Sequence, residues 1–244
     1  MTQPSYDDIA EWYDRYLQAR PVYDEVILPN LLELVGACQG EDVCDLACGQ
    51  GWVARTLARR GARVTGLDLA PNLLALARRS EEQEPLGIVY HEGDAQRADP
   101  LSDSSFTGCV CVMALTNIPD LTAVFQTVRR ILKPGGWFVF AIPHPCFETP
   151  HAQWVPLPDP EHALARLVSG YFDERHWFSS NPDGARGRVG EHHRMLSTYL
   201  NTLSAAGFIL ERVIEPGPSA RQAEMVPGNR EIPTLLLIRA HASL

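Results

Sequence analysis

Short apolar runs alternate along the chain with stretches in which apolar residues recur every three or four positions. Val43–Leu46, Ala62–Leu69, Gly87–His91, Phe106–Met113 and Trp137–Ile142 read as strands, and Trp52–Arg60, Pro71–Arg79 and Asp120–Leu132 as helices. The stretch 120–132 puts Leu121, Val124, Phe125, Val128, Ile131 and Leu132 on one stripe. Phe106–Met113 is nearly all apolar, as expected of a strand covered on both faces. Such alternation predicts an α/β domain with a mostly parallel sheet and helices on both faces. Upstream, Tyr6–Val35 reads as two helices broken near Pro21, with Trp12 and Tyr16 on one face and Tyr13 pointing elsewhere. Downstream, Glu191–Ala206 reads as a helix stopped by Gly207. Phe208–Ile214 and Thr234–Ala240 follow as strands separated by a loop without a helix-length segment, so they should pair antiparallel.

The alternation breaks at Pro143–Gly190, rich in Pro, Gly, His and aromatics, with one short helix expected around Glu161–Val168. A segment of that length leaving the carboxyl end of a central strand reads as a substrate-side cap. His144, Phe147, His151, Trp154, Tyr171, Phe172, His176, Trp177 and Phe178 would give it an aromatic lining with polar tips. Apolar residues make up 45% of the chain, enough for one folded domain over residues 1–244. A formal net charge of −9 argues against a nucleic-acid partner. The basic pairs Arg59-Arg60, Arg78-Arg79 and Arg129-Arg130 sit at helix ends, opposite the negative dipole. The first residues lack a signal pattern and no run is apolar enough to cross a membrane, so a cytoplasmic protein without membrane contact is expected. The six cysteines form no paired Cys-x-x-Cys, which predicts buried free thiols and no metal.

The chemistry gathers at Val43–Arg55, V-C-D-L-A-C-G-Q-G-W-V-A-R, a strand, a glycine turn and a helix. That order sets unpaired backbone N–H groups and a helix N-terminus beside one ligand, and Gly49 and Gly51 allow a sharp turn and close approach. A dinucleotide loop needs a third glycine where Trp52 stands, and no Gly-Lys-Ser/Thr follows for a nucleoside triphosphate. Asp45 at the loop mouth would repel a pyrophosphate but attract a cation such as the α-ammonium of a methionine moiety. Through Asp45, Ala47, Gly49 and Gly51 the segment resembles the Asp/Glu-x-Gly/Ala-x-Gly-x-Gly loop of the class I methyltransferases that use S-adenosylmethionine. The resemblance implies a Rossmann-like, doubly wound, seven-stranded sheet, mostly parallel with a C-terminal antiparallel hairpin.

Asp68 ends the second strand one strand-helix-strand step after Asp45, at the same sheet edge, where its carboxylate can accept both ribose hydroxyls while Leu69 packs on adenine. The resemblance assigns Asp94 to the adenine amino group, with Ala95 beside it, and Met113 to the cofactor side of the fourth strand's end. Leu-Lys-Pro-Gly-Gly at 132–136 matches the same family. So does Tyr6-Asp7-Asp8-Ile9-Ala10-Glu11-Trp12-Tyr13-Asp14, which makes residues 1–40 a helical flap with Tyr13 reaching the methionine end. The expected activity is in-line methyl transfer from S-adenosyl-L-methionine, leaving S-adenosyl-L-homocysteine, to an O, N or C acceptor on a small molecule. His144, His151 and His193 are candidate bases, with His144 favoured because it leaves the fifth strand two residues past its end. Tyr16, Asn117, His144, Phe147, Tyr171, Trp177 and His193 are the expected acceptor contacts. A tRNA or protein methyltransferase, or an enzyme or module that binds the cofactor without methyl transfer, are the alternatives, and monomer or homodimer both remain open.

Overall fold

In the computed structural model, residues 5–158 and 164–243 are described. The N-terminal segment holds α1 (Ala10–Gln18), a π-helical turn (Tyr23–Ile27) and α2 (Leu28–Val35). The alternating body runs β1 (Asp42–Leu46), α3 (Trp52–Arg59), β2 (Arg63–Asp68), α4 (Pro71–Gln83), β3 (Val89–Glu92), β4 (Phe106–Val112), α5 (Leu121–Ile131) and β5 (Leu132–Pro143). Then come β6 (Gln153–Pro156), β7 (Leu164–Leu167), β8 (His176–Trp177), α6 (Ala185–Arg188) and β9 (Glu191–His192). The chain closes with α7 (Leu196–Ala205), β10 (Phe208–Ile214), α8 (Ala220–Met225) and β11 (Leu235–Ala242).

The main sheet has seven strands in the order β10-β11-β5-β4-β1-β2-β3. β3, β2, β1, β4 and β5 run parallel, while β11 lies antiparallel to both β5 and β10. Period-two alternation sends successive side chains to opposite faces. Cys44, Cys109, Phe138 and Ile238 meet α5 and α7 on one side, and Val43, Val64, Val139 and Leu237 meet α2, α3 and α4 on the other. The order of strands turns back between β1 and β4, which opens a crevice at their carboxyl ends. Five cysteines are buried and Cys146 is half-buried, all as free thiols.

Several expectations change. The helix expected to end at Arg79 extends to Gln83 as α4, and Arg55 of α3 pairs with Glu81 at 3.0 Å and with Glu84 at 2.6 Å. Lys133–Gly136 belongs to β5, as an excursion that shifts its register against β4 between Phe106 and Gly108. Of the expected helix 161–168, residues 161–163 lie outside the described residues, and Leu164–Leu167 is a strand because it pairs with Gln153–Pro156. The late helix starts at Leu196 rather than Glu191, because Glu191–His192 pairs with His176–Trp177. The β10–β11 connection contains the short α8, although the two strands do pair antiparallel.

Gly51 caps the N-terminus of α3 at φ +82°, and a Cβ there would stand 2.3 Å from the Tyr90 hydroxyl. Gly51→Ala should therefore cost ~1–3 kcal/mol of stability through backbone strain and overlap, read as a lower denaturant midpoint with an unchanged slope.

Candidate functional site

A cavity of about 790 Å³ lies at the carboxyl edge of the parallel strands. The ends of β1, β2, β3 and β4 supply Asp45, Ala47, Asp68, Leu69, Asp94, Ala95 and Met113 to its floor. Tyr6, Asp7, Tyr13 and Tyr23 of the N-terminal segment form one wall, and His176, Val189, Gly190 and His192 form another. The N-terminal segment is anchored at two points. Asp7 accepts the Asn72 N–H in the first turn of α4 at 2.6 Å, and the Tyr6 hydroxyl donates to Asn117 Oδ1 at 3.4 Å.

The glycine loop is built by the sheet edge. Asp68 Oδ2 accepts the Gly49 N–H at 2.7 Å and Oδ1 accepts the Ala70 N–H at 2.9 Å. This ties the loop after β1 to the end of β2. Ala47 and Met113 end their strands at φ +57°, sparsely populated for a residue with a Cβ, and both line the cavity. Backbone strain of this kind collects where a ligand is held.

Asp45 is buried, and its Oδ2 has no hydrogen-bond partner among the described residues. Burial pushes its carboxyl up to about 8; the Ala54 amide of α3 opposes this and the Asp68 charge adds to it. Asp68 is raised as well, chiefly by burial, against the amides of Ala70 and Gly49. Two desolvated acids facing one cavity suit a cationic ligand. Asp94 is held differently: the Gln96 side-chain amide donates to both its oxygens, at 3.1 and 2.9 Å. Leu69 is 66% exposed at the rim, an apolar surface open to a flat ring.

A smaller chamber of about 270 Å³ adjoins the cavity and shares Tyr6, Tyr13, Tyr23, Met113, Asn117 and Gly190 with it. Tyr16, Arg20, Arg186 and Glu191 complete its charged and aromatic lining. Burial raises the hydroxyl pKa of Tyr6 and Tyr13 well above the usual value and pushes Tyr23 up to about 12, so all three are neutral donors.

Of the residues singled out from sequence, Tyr13, Asp45, Ala47, Gly49, Asp68, Leu69, Asp94, Ala95, Met113, Tyr16 and Asn117 line one or both spaces. Gly51 does not. Its missing Cβ makes room for Tyr90 rather than for a ligand. His144, the favoured base, lines neither space: it is buried, with Nε2 2.7 Å from Glu215 Oε1 and Nδ1 accepting the Cys146 N–H at 3.2 Å. Phe147 packs on His144 with ring centroids 4.7 Å apart. The Tyr171 hydroxyl accepts the Leu196 N–H at the start of α7, at 3.0 Å. His193 is buried with Nε2 2.9 Å from the Tyr171 carbonyl oxygen, and Trp177 packs under the Arg186 guanidinium. His151 and Phe172 are exposed. The aromatic wall therefore comes from the N-terminal tyrosines, and segment 143–190 contributes only His176 of its expected lining to the larger cavity.

Sequence reading missed Glu191, Arg186, His192 and Tyr6 as lining residues. For Glu191 and His192 the hint was the Gly-Glu-His-His run just past the irregular segment, while Tyr6 opens the flap motif. His192 is lowered to about 4 by burial and by the charges of Arg194 and His176, so it is a neutral imidazole.

A family profile described as a methyltransferase domain matches residues 44–140. The crystal structure of an S-adenosylmethionine-dependent methyltransferase from Mesorhizobium loti is similar with a TM-score of 0.73 and 32% identity, covering 87% of this chain and 96% of that one. Ubiquinone biosynthesis O-methyltransferase of Sodalis glossinidius is 28% identical over 67% of this chain and 66% of its own. The enzyme of the same name from Paracidovorax citrulli is 33% identical over 53% of this chain and 56% of its own. The matched region thus spans less than two thirds of either of these curated relatives.

A carboxyl group raised by folding stabilises the chain fully below its unfolded pKa, and that contribution is lost as pH rises through the folded value. For Asp45 the loss runs up to about pH 8. Without ligand, Asp45→Asn should melt above the parent at pH 8 and close to it near pH ~4, where both side chains are neutral. Thermal melts across that range are the check, and identical pH profiles would contradict it.

Proposed function

The chain belongs to the class I S-adenosylmethionine-dependent methyltransferases, and from that premise we propose that it transfers a methyl group to a small-molecule acceptor seated beside Met113 and the N-terminal tyrosines. The observation that carries the reading is the unpartnered, buried Asp45 oxygen in a cavity that also holds Asp68, Leu69 and Asp94. These residues fit the cofactor's groups one by one. Asp45 would pair with the α-ammonium, which supplies the cation its buried oxygen lacks. Asp68 spends one lone pair of each oxygen on a backbone amide and keeps others for ribose hydroxyls. Leu69 would cover the adenine face, and Asp94, oriented by Gln96, would accept from its amino group.

Bound S-adenosylmethionine supplies an activated methyl group, so the protein's share is placement and a dry setting. Holding acceptor and donor in near-attack geometry is worth several kcal/mol, up to ~7–11 in favourable cases. Tyr6, Tyr13 and Tyr23 line the junction of cavity and chamber with aromatic surface while staying neutral themselves. The narrowness of that chamber and the resemblance to enzymes named for ubiquinone biosynthesis favour a small acceptor over a macromolecule.

Calorimetric titration tests the cofactor assignment. The parent should bind S-adenosylmethionine and S-adenosylhomocysteine, and Asp68→Ala should weaken both by ~1–3 kcal/mol. Because Asp68 also holds the loop, Asp94→Ala provides the parallel measurement, since its side chain bonds only to Gln96 in the described residues. Absence of binding to either ligand would remove the methyltransferase reading.

A further inference from the structure

We propose that the smaller chamber is the acceptor subsite and that Glu191 takes the proton from a hydroxyl-bearing acceptor bound there, an assignment that rests on the methyltransferase reading. The chamber meets the main cavity at Tyr13, Met113 and Asn117, at the carboxyl end of β4, opposite the side where Asp68 and Asp94 lie. Glu191 stands in β9, paired across to Trp177, and only 6% of it is exposed. Its Oε1 forms an ion pair with Arg186 Nε at 2.8 Å, and no hydrogen bond among the described residues reaches Oε2.

The carboxylate is aimed by a row of four alternating charges. Arg186 Nη1 also donates to Glu148 Oε2 at 2.8 Å, and Glu148 Oε1 accepts from Arg166 at 2.7 Å. Such a row fixes the orientation of Glu191 and offsets only part of the cost of burying it. A carboxylate on the wall of this chamber can accept from a donor bound there, and an acceptor hydroxyl is one. Nitrogen donors fit the charge equally well, but a neutral hydroxyl has to lose its proton when its oxygen is methylated, and Glu191 is placed to receive it.

The charged and titratable groups around Glu191 come from every side of the chamber. Arg186 projects from α6, Glu148 from the segment after β5, Arg20 from the stretch after α1, and the hydroxyls of Tyr6, Tyr13, Tyr16 and Tyr23 from the N-terminal segment. Burial pushes Glu191 up to about 7, against the pull of Arg186 and with the push of Glu148. That value suits a group that gains and loses a proton near neutrality. In the step, the acceptor oxygen uses a lone pair to bond the methyl carbon while the carbon–sulfur bond breaks and its pair stays on sulfur. The hydroxyl proton passes to Glu191 Oε2 and then to water, leaving a neutral thioether and a methyl ether.

The test uses the full chain saturated with S-adenosylhomocysteine and two probes, phenol and anisole, titrated by ligand-observed NMR. Phenol should bind the parent at least tenfold more tightly than anisole, which has no proton to give. Glu191→Gln should bind S-adenosylhomocysteine as the parent does yet lose that preference. Phenol affinity of the parent should also fall as pH drops through about 7, where the carboxylate is neutralised. This last measurement needs no variant and so stands even if Glu191→Gln fails to fold. A parent that binds S-adenosylhomocysteine but does not distinguish the probes, a flat pH profile, or a Gln variant that keeps the preference would each overturn the assignment. Failure of the parent to bind S-adenosylhomocysteine would instead strike the methyltransferase reading itself.

Discussion

One carboxylate sets the geometry on which the site depends. Asp68 ends β2, yet its two oxygens hold the N–H of Gly49, from the loop after β1, and of Ala70, which caps α4. Parallel pairing already sets Asp45 opposite Gly66, so the two carboxyl ends lie side by side. The Asp68 bonds then close the glycine loop onto that edge. Removing Asp68 from water costs free energy, which the two amides only partly return, and its raised carboxyl pKa records the balance. Asp45 bears the larger burden, with an oxygen that nothing in the described chain satisfies. The loop after β1 thus sets a buried carboxyl oxygen without a partner among the described residues beside Asp68, the feature on which the proposed cofactor assignment rests.

The N-terminal segment depends on the same edge. Asp7 is an acid in front of α4, where it meets the Asn72 N–H and the positive end of the helix, and this docks the chain over the cavity. Once docked, Tyr6 and Tyr13 pack edge to face at 4.8 Å and Tyr13 lies nearly parallel to Tyr16 at 6.2 Å. Aromatic faces and neutral hydroxyls together make an apolar wall that still offers hydrogen bonds. The aromatic wall is thereby provided by residues preceding the sheet, while Arg186 and Glu191 of the smaller chamber come from residues beyond β5.

The sheet and the cofactor side were legible in the sequence because their signals are local. Apolar period, Gly49 at positive φ, Pro71 opening a helix and acids at strand ends each act within a few residues of where they stand. The wall built by the segment after β5 was not legible, because its determinants are pairings over long separations. His144 looked free to face a ligand until Glu215 met its ring. Glu191 and His192 fit a helical pattern until β8 paired with them. The aromatics of segment 143–190 looked like a lining, but Trp154 lies under the Arg166 guanidinium and Trp177 under that of Arg186. Even Gly51, correctly expected at the turn, owes its lack of a side chain to Tyr90 some forty residues on, a contact that no local pattern encodes.

That division has a physical basis in how the two halves are held. The sheet buries Phe138, Phe140, Ile142 and their neighbours completely, so its geometry follows from apolar burial, which is non-directional and tolerant of substitution. Between Cys146 and Arg188 no described apolar side chain is fully buried. That stretch is fixed instead by the Arg166–Glu148–Arg186–Glu191 row, by Thr149 donating to the Ser169 carbonyl at 2.7 Å, and by two short strand pairs. Directional polar contacts in a partly dry setting position few groups but position them tightly. Pairings of this kind join residues far apart in sequence, Arg166 to Glu148 and Arg186 to Glu148 among them, which is why the segment reads so weakly from sequence.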